Sequence, residues 1–140
     1  MKFVDTNVFI RFLTGDDREK AEACWGFFKR LERGDERATT SESVLAEIVY
    51  VLSSKGLYAL GRPDIEARLR PMLLLRGLQL PHQRRYLRAL ALYARLTWAD
   101  FEDAVAIAQM EEDGITTIES YDRGFDRAEG ITREEPPAVS

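Results

Sequence analysis

Lys2-Phe3-Val4-Asp5-Thr6-Asn7-Val8-Phe9-Ile10 decides how this chain is read. Three residues able to form a strand run into an acid, and an apolar run with Phe12 and Leu13 behind it follows almost at once. A strand that turns directly into a helix opens a βα unit, and ligand sites in open α/β sheets lie beyond the carboxyl ends of such strands. Asp5, Thr6 and Asn7 are all good helix caps. Asp5 is therefore either a cap or a ligand, and the ligand reading is preferred because Thr6 or Asn7 can cap in its place.

Working outward, the first helix should run through Leu13 and stop at Gly15, and Asp16 or Asp17 should begin a second. In that second helix Ala21, Cys24, Trp25, Phe28 and Leu31 form one apolar stripe facing a core, and Gly34 ends it. Residues 37–40 read as a second strand. Ser41 or Ser43 caps an apolar helix over 44–52, which Gly56 closes. Pro63 marks the first turn of another helix, residues 77–81 a brief strand, and residues 83–96 a further helix. A helix opening near Asp100, a strand at 115–118 after Gly114 and a last strand near Ile131 and Thr132 complete the pattern. Alternating strands and helices predict an α/β fold with a short, mostly parallel central sheet flanked by helices. One domain is expected over residues 1–135, with 136–140, including Pro136 and Pro137, as a flexible tail.

A chain of 140 residues with 45% hydrophobic content fits one compact domain. The sequence has neither an apolar run long enough for a membrane span nor a cleavable leader pattern, which predicts a cytoplasmic protein without membrane contact. The one cysteine, Cys24, and the one histidine, His82, cannot supply an internal disulfide or a zinc set. Any bound metal should have oxygen ligands, which favours Mg²⁺ or Mn²⁺. Net charge is -4, so any surface attracting nucleic acid must be a local patch.

Further acids follow Asp5 at Glu47, at Asp100 with Asp103, and at Asp122 with Asp126. Glu47 sits about 40° from Val51, at the edge of an apolar helix face with Val44, Ile48 and Leu52. It is either a ligand or an edge residue whose head reaches water. Asp100 and Asp103 have the spacing of a cap and its third helical residue, so a capping pair and a ligand pair are both open. Asp122 follows a strand, as Asp5 does, with an Asx-turn as its plain alternative. Ser120 is placed to hydrogen-bond a carboxylate or ligand, and Phe125 to plug the core beneath.

Together, the segments 3–8, Ala46-Glu47, Phe101-Glu102-Asp103-Ala104, and Ser120-Tyr121-Asp122-Arg123-Gly124-Phe125-Asp126 followed by Gly130-Ile131-Thr132-Arg133 resemble the PIN domain, and more narrowly the toxin ribonuclease of VapBC-type toxin-antitoxin pairs. The resemblance covers nearly the whole chain in order and spacing. It implies a PIN-like fold and a metal-dependent endoribonuclease whose four acids are Asp5, Glu47, Asp103 and Asp122. Asp5, Asp103 and Asp122 are the main Mg²⁺ or Mn²⁺ ligand candidates, Glu47 ligates or positions water, and Asp100 competes with Asp103 for the third place. Asn7, Ser120 and Asp126 are supporting residues. The implied partners are RNA, a VapB-like antitoxin and a second copy in a homodimer.

Carboxylates gathered in this way repel one another unless a divalent cation neutralises them. Such a cation can acidify water for in-line attack on a phosphodiester, which leaves a 5′-phosphate and a 3′-hydroxyl in nucleases of the resembled family. Arg84, Arg88 and Arg95 fall within about a 40° arc of one helix, either a phosphate track or a solvated face. Tyr86, Tyr93 and Trp98 are candidates for base stacking or for core. Residues 56–80 match no motif, and substrate choice is assigned there. A PIN-type RNA-processing nuclease without an antitoxin and a non-catalytic binding module are the alternatives. A phosphotransferase with Asp5 as nucleophile is disfavoured, because Asn7 replaces its expected second aspartate.

Overall fold

The computed structural model describes residues 1–139. Strand β1 (Lys2–Phe3) leads into helices α1 (Thr6–Thr14) and α2 (Arg18–Arg33), then β2 (Ala38–Thr39) and α3 (Glu42–Ser53). Helices α4 (Arg62–Leu73), α5 (Gln83–Arg95) and α6 (Phe101–Asp113) follow, then β3 (Thr117–Glu119), a 3₁₀ turn (Arg123–Arg127) and β4 (Thr132–Glu134). This is an α/β fold with parallel strands, as the alternating pattern predicts. Residues 136–139 have no regular structure, and the last residue of the predicted tail, Ser140, lies outside the described residues.

The ladder comes in two pieces. β1 pairs with β2 and β3 with β4, both in parallel, through Lys2 with Ala38 and Thr117 with Thr132. The strand expected at 77–81 contracts to a bridge from Leu78 to Ala38. Ala38 donates to the Gly77 carbonyl at 2.9 Å, and Gln79 to the Ala38 carbonyl at 2.8 Å. β1 stops early for a local reason: the buried Thr40 hydroxyl donates to the Val4 carbonyl at 2.8 Å, taking an acceptor that a longer ladder would have used.

Aromatic packing fixes α1 against α2. The Phe28 ring lies 5.3 Å from Phe9, 5.0 Å from Phe12 and 5.4 Å from Phe27, centroid to centroid. Each such pair contributes about 0.5–1.5 kcal/mol beyond area burial. The predicted stripe on α2 is thus narrower than its periodicity implied: Phe28 and Leu31 are buried, but Trp25 is 54% exposed beside Lys29. It sits at the stripe's margin, where the Phe28 seam leaves it uncovered. Cys24 is half-buried, and burial raises its thiol pKa, in keeping with a core-side cysteine.

Side-chain and glycine caps close several helix ends, while α4 and α5 start at Gly61 and His82 with no side-chain cap bond and end at Leu74 and Leu96. Asp17 and Ser41 cap α2 and α3 through side-chain oxygens, and Gly34 ends α2 at φ 81°. α3 ends at Ser54 rather than Gly56. The hydroxyls of Ser53 and Ser54 and the Ser54 N–H all bond the Tyr50 carbonyl, so terminal acceptors are met before any glycine is reached.

Arg62 ties the last helices together. Its Nη1 donates to the carbonyls of Tyr93, Leu96 and Ala99 at 3.0, 2.9 and 2.5 Å, and its guanidinium lies 4.3 Å from the Tyr93 ring centroid. One side chain on α4 thereby satisfies the end of α5 and fixes the turn that enters α6.

Candidate functional site

Asp5 itself caps α1, accepting the Thr6 N–H on Oδ1 at 2.8 Å, so the cap falls to it rather than to Thr6 or Asn7. The reason lies 41 residues away, where the Thr6 hydroxyl is committed to Glu47 Oε2 at 3.1 Å. Glu47 is exposed on α3, its head held by that hydroxyl beside the apolar face. Asp5, Asn7 and Glu47 line one open cavity of about 330 Å³. The ionised Asp5 carboxylate keeps acceptor capacity beyond its cap bond.

Two residues that sequence reasoning did not single out, Arg11 and Tyr58, line the same cavity. Arg11 Nη1 donates to Asp16 Oδ1 at 3.1 Å, and the Tyr58 hydroxyl donates to Asp16 Oδ2. The Tyr58 bond first, with Arg11 in the same direction, holds the Asp16 carboxyl below the usual aspartate range. Arg11 lies four residues after Asn7 and so on the same face of α1, a signal the sequence contains. Tyr58 carries no local signal.

A second pair of acids forms at the start of α6. Asp100 accepts the Asp103 N–H at 2.8 Å, and Asp103 Oδ2 accepts the Asp100 N–H at 3.1 Å, a full capping box. Burial raises the Asp103 carboxyl pKa, and the negative charges of Asp100 and Asp122 push the same way, against the Asp100 N–H. Asp122 therefore lies within electrostatic reach of Asp103. Asp100 instead lines a separate cavity with Ala46, Tyr50, Arg62 and Glu102.

Asp122 sits at the head of the 3₁₀ turn, its Oδ1 accepting the Gly124 N–H at 2.8 Å while its own N–H donates to Ser120 Oγ at 3.0 Å. Phe125 is buried edge-on to Trp98 at 5.4 Å and plugs the core as expected. Arg133 holds Asp126 at 2.8 Å and also donates to the Ser120 carbonyl at 2.8 Å. Asp126 is thus a neutralised brace for the Asp122 turn.

The four acids stand as two pairs, Asp5 with Glu47 and Asp103 with Asp122. Among the described residues no three of His, Cys, Asp and Glu gather as a metal-holding group. The arginine track is interrupted: Arg88 makes a two-pronged ion pair with Glu111 at 2.9 and 3.1 Å, and Arg88 and Arg95 line a cavity that does not include Arg84. Tyr86 and Tyr93 are buried, which removes them as base-stacking platforms. Among the described residues, no helix is long and apolar enough to cross a membrane.

Parallel strands and flanking helices define an α/β protein. A family model of the PIN domain matches residues 2–131, and the chain belongs to the PIN domain family, whose fold is generally that of nucleases. PIN domains typically bind a divalent metal. No curated protein matches the sequence.

Proposed function

We propose that this PIN domain is a Mg²⁺- or Mn²⁺-dependent endoribonuclease that hydrolyses RNA phosphodiester bonds. We further propose that it serves as the toxin of a VapBC-type pair, restrained by a VapB-like antitoxin and acting as a homodimer in the cytoplasm. The carrying observation for the nuclease is the ordered set of four acids, with the Asp103 carboxyl raised by burial and by the charges of Asp100 and Asp122. A site that disfavours its own ionisation is one that a cation relieves. The toxin role is supported by the sequence segments that resemble VapBC-type toxins.

The donor set fits a hard divalent cation, because every candidate ligand is a carboxylate oxygen. Asp5, Asp103 and Asp122, which do not gather as one metal-holding group in this structure, would have to close on it, and when bound it supplies acidified water and charge neutralisation at the leaving oxygen. Glu47, steadied by the Thr6 hydroxyl, orients the attacking water or adds a ligand. The Asp100 cap holds the first turn of α6 so that Asp103 keeps its place, and the Ser120 and Arg133 contacts do the same for Asp122. No nucleophilic side chain is required.

The test is to incubate the purified chain with structured RNAs, including tRNAs, in Mn²⁺, Mg²⁺ or EDTA beside Asp5→Asn and Asp103→Asn variants. Cleavage lost in EDTA and in both variants, with folding retained, supports the nuclease. Cleavage that survives both substitutions removes the site. Inhibition by the product of a neighbouring small DNA-binding reading frame separates a toxin from a processing enzyme.

A further inference from the structure

The cavity holding Asp5 and Glu47 has a rim of different chemistry, and the unassigned stretch after α3 supplies half of it. Among the residues lining that cavity, Arg11 is the one cation and Tyr58 the one aromatic. Both are anchored on opposite oxygens of the same carboxylate, Asp16. We infer that Arg11 and Tyr58 are the docking rim for single-stranded RNA beside the acidic pair, Arg11 taking a backbone phosphate and the Tyr58 ring a base. This rests on the nuclease reading of the same site.

Charge makes such a rim necessary. The chain carries a net charge of -4, and the cavity presents two carboxylates, so an anionic strand needs a cation close to the chemistry. Arg11 meets that need. Its ion pair with Asp16 engages Nη1, while a guanidinium carries five N–H donors in a planar fork suited to phosphate. The arginines of α5 are less suited, since none of them lines this cavity.

Tyr58 supplies the complementary part. Its hydroxyl is satisfied by Asp16, and the half-buried ring packs on the core while also lining the cavity, where a ligand would meet it. Stacking on an aromatic ring is open to every base and needs an unpaired strand. Tyr86 and Tyr93 are buried, and the exposed Tyr50 and Tyr121 do not line this cavity. A simple strap between the α1–α2 loop and the turn after α3 would use the same Asp16 bond, so the experiment must separate ring from hydroxyl.

The measurement is equilibrium binding of a fluorescein-labelled, mixed-sequence single-stranded RNA to the full chain in EDTA across a salt series. Arg11→Gln should weaken binding about tenfold and reduce the salt slope by about 0.7, the change expected for one phosphate contact on a single strand. Tyr58→Leu should weaken it by about tenfold, a typical loss for one stacked base, whereas Tyr58→Phe should stay within about twofold. In Mn²⁺-supported cleavage the same losses should appear in KM, with kcat little changed. If the parent chain cleaves RNA while Arg11→Gln and Tyr58→Leu bind as it does, the rim is overturned and the nuclease stands. Equal losses in Tyr58→Phe and Tyr58→Leu, tracking a lowered melting temperature, also overturn it in favour of a strap. A parent chain that neither binds nor cleaves RNA overturns the nuclease reading and the rim with it.

Discussion

The Thr6 hydroxyl and Glu47 Oε2 stand 3.1 Å apart, joining the first turn of α1 to the middle of α3. Thr6 is buried and Glu47 exposed, so a buried donor steadies an exposed acid. Thr6→Val keeps the shape and deletes the donor. It should cost about 1 kcal/mol in urea unfolding. It should also slow RNA cleavage about tenfold, the scale seen when an outer partner of a metal ligand is lost. Thr6→Ser should restore both.

Arg62 makes a stronger prediction about stability. Replacing it with Met keeps an apolar stem over Tyr93 but takes the charged donor from three carbonyls at the α5–α6 turn, of which Leu96 keeps its bond from the Ala99 N–H. Hydrogen bonds to charged groups contribute about 1.5–3 kcal/mol each, with overlap among bonds from one nitrogen, so a loss of about 3 kcal/mol is expected. Urea unfolding should show a lower midpoint at an unchanged slope.

Gly77 lies against the backbone of Leu31 and of residues 36–38. A Cβ there would meet the Glu36 carbonyl oxygen at 2.1 Å and the Leu31 carbonyl oxygen at 2.9 Å, both immobile backbone atoms. Gly77→Ala should therefore lower stability by about 3 kcal/mol, the upper end of ordinary overpacking. Gly56→Ala, with open space around its Cβ, is the control, and its melting temperature should barely move.

Glu119 and Glu134 face each other across the β3–β4 ladder. The hydrogen bond between the two carboxyls, followed by burial and then by the charge of Glu134, raises the Glu119 pKa above its ordinary 4.5. The folded state thus holds a proton that the unfolded chain releases. This stabilisation is full below pH 4.5 and is lost as pH rises through the higher folded-state value. Glu134→Gln should melt higher than the parent at pH 7, with the two curves converging near pH 4. A constant gap across that range would refute the pairing.

Local chemistry explains what could be read in the sequence. Asp17, Ser41, Gly15, Gly34 and Gly114 end helices where their cap preferences place them, because a cap is decided by its immediate neighbours. The four acids were legible as an ordered series, but their partners were not. Thr6 was free to cap α1 in the sequence and is diverted to a residue 41 positions on; Tyr58 reaches Asp16 across 42. The two-piece ladder was equally hidden, since it depends on the Thr40 hydroxyl replacing a backbone donor. Trp25 shared the period of its stripe, yet exposure there turned on the position of Phe28 rather than on the repeat.

Ladders of only two and three residues mean that most of the packing is between helices adjacent along the chain: α1 on α2, α4 on α5, α5 on α6. Such near-neighbour hairpins close short loops and assemble early, while joins across forty residues come late. The acidic pocket is built from the late joins. In native-state hydrogen exchange the amides around Thr6 and Tyr58 should accordingly open at lower free energy than those of α5, so the chain would mature into a helical scaffold before it becomes a competent site.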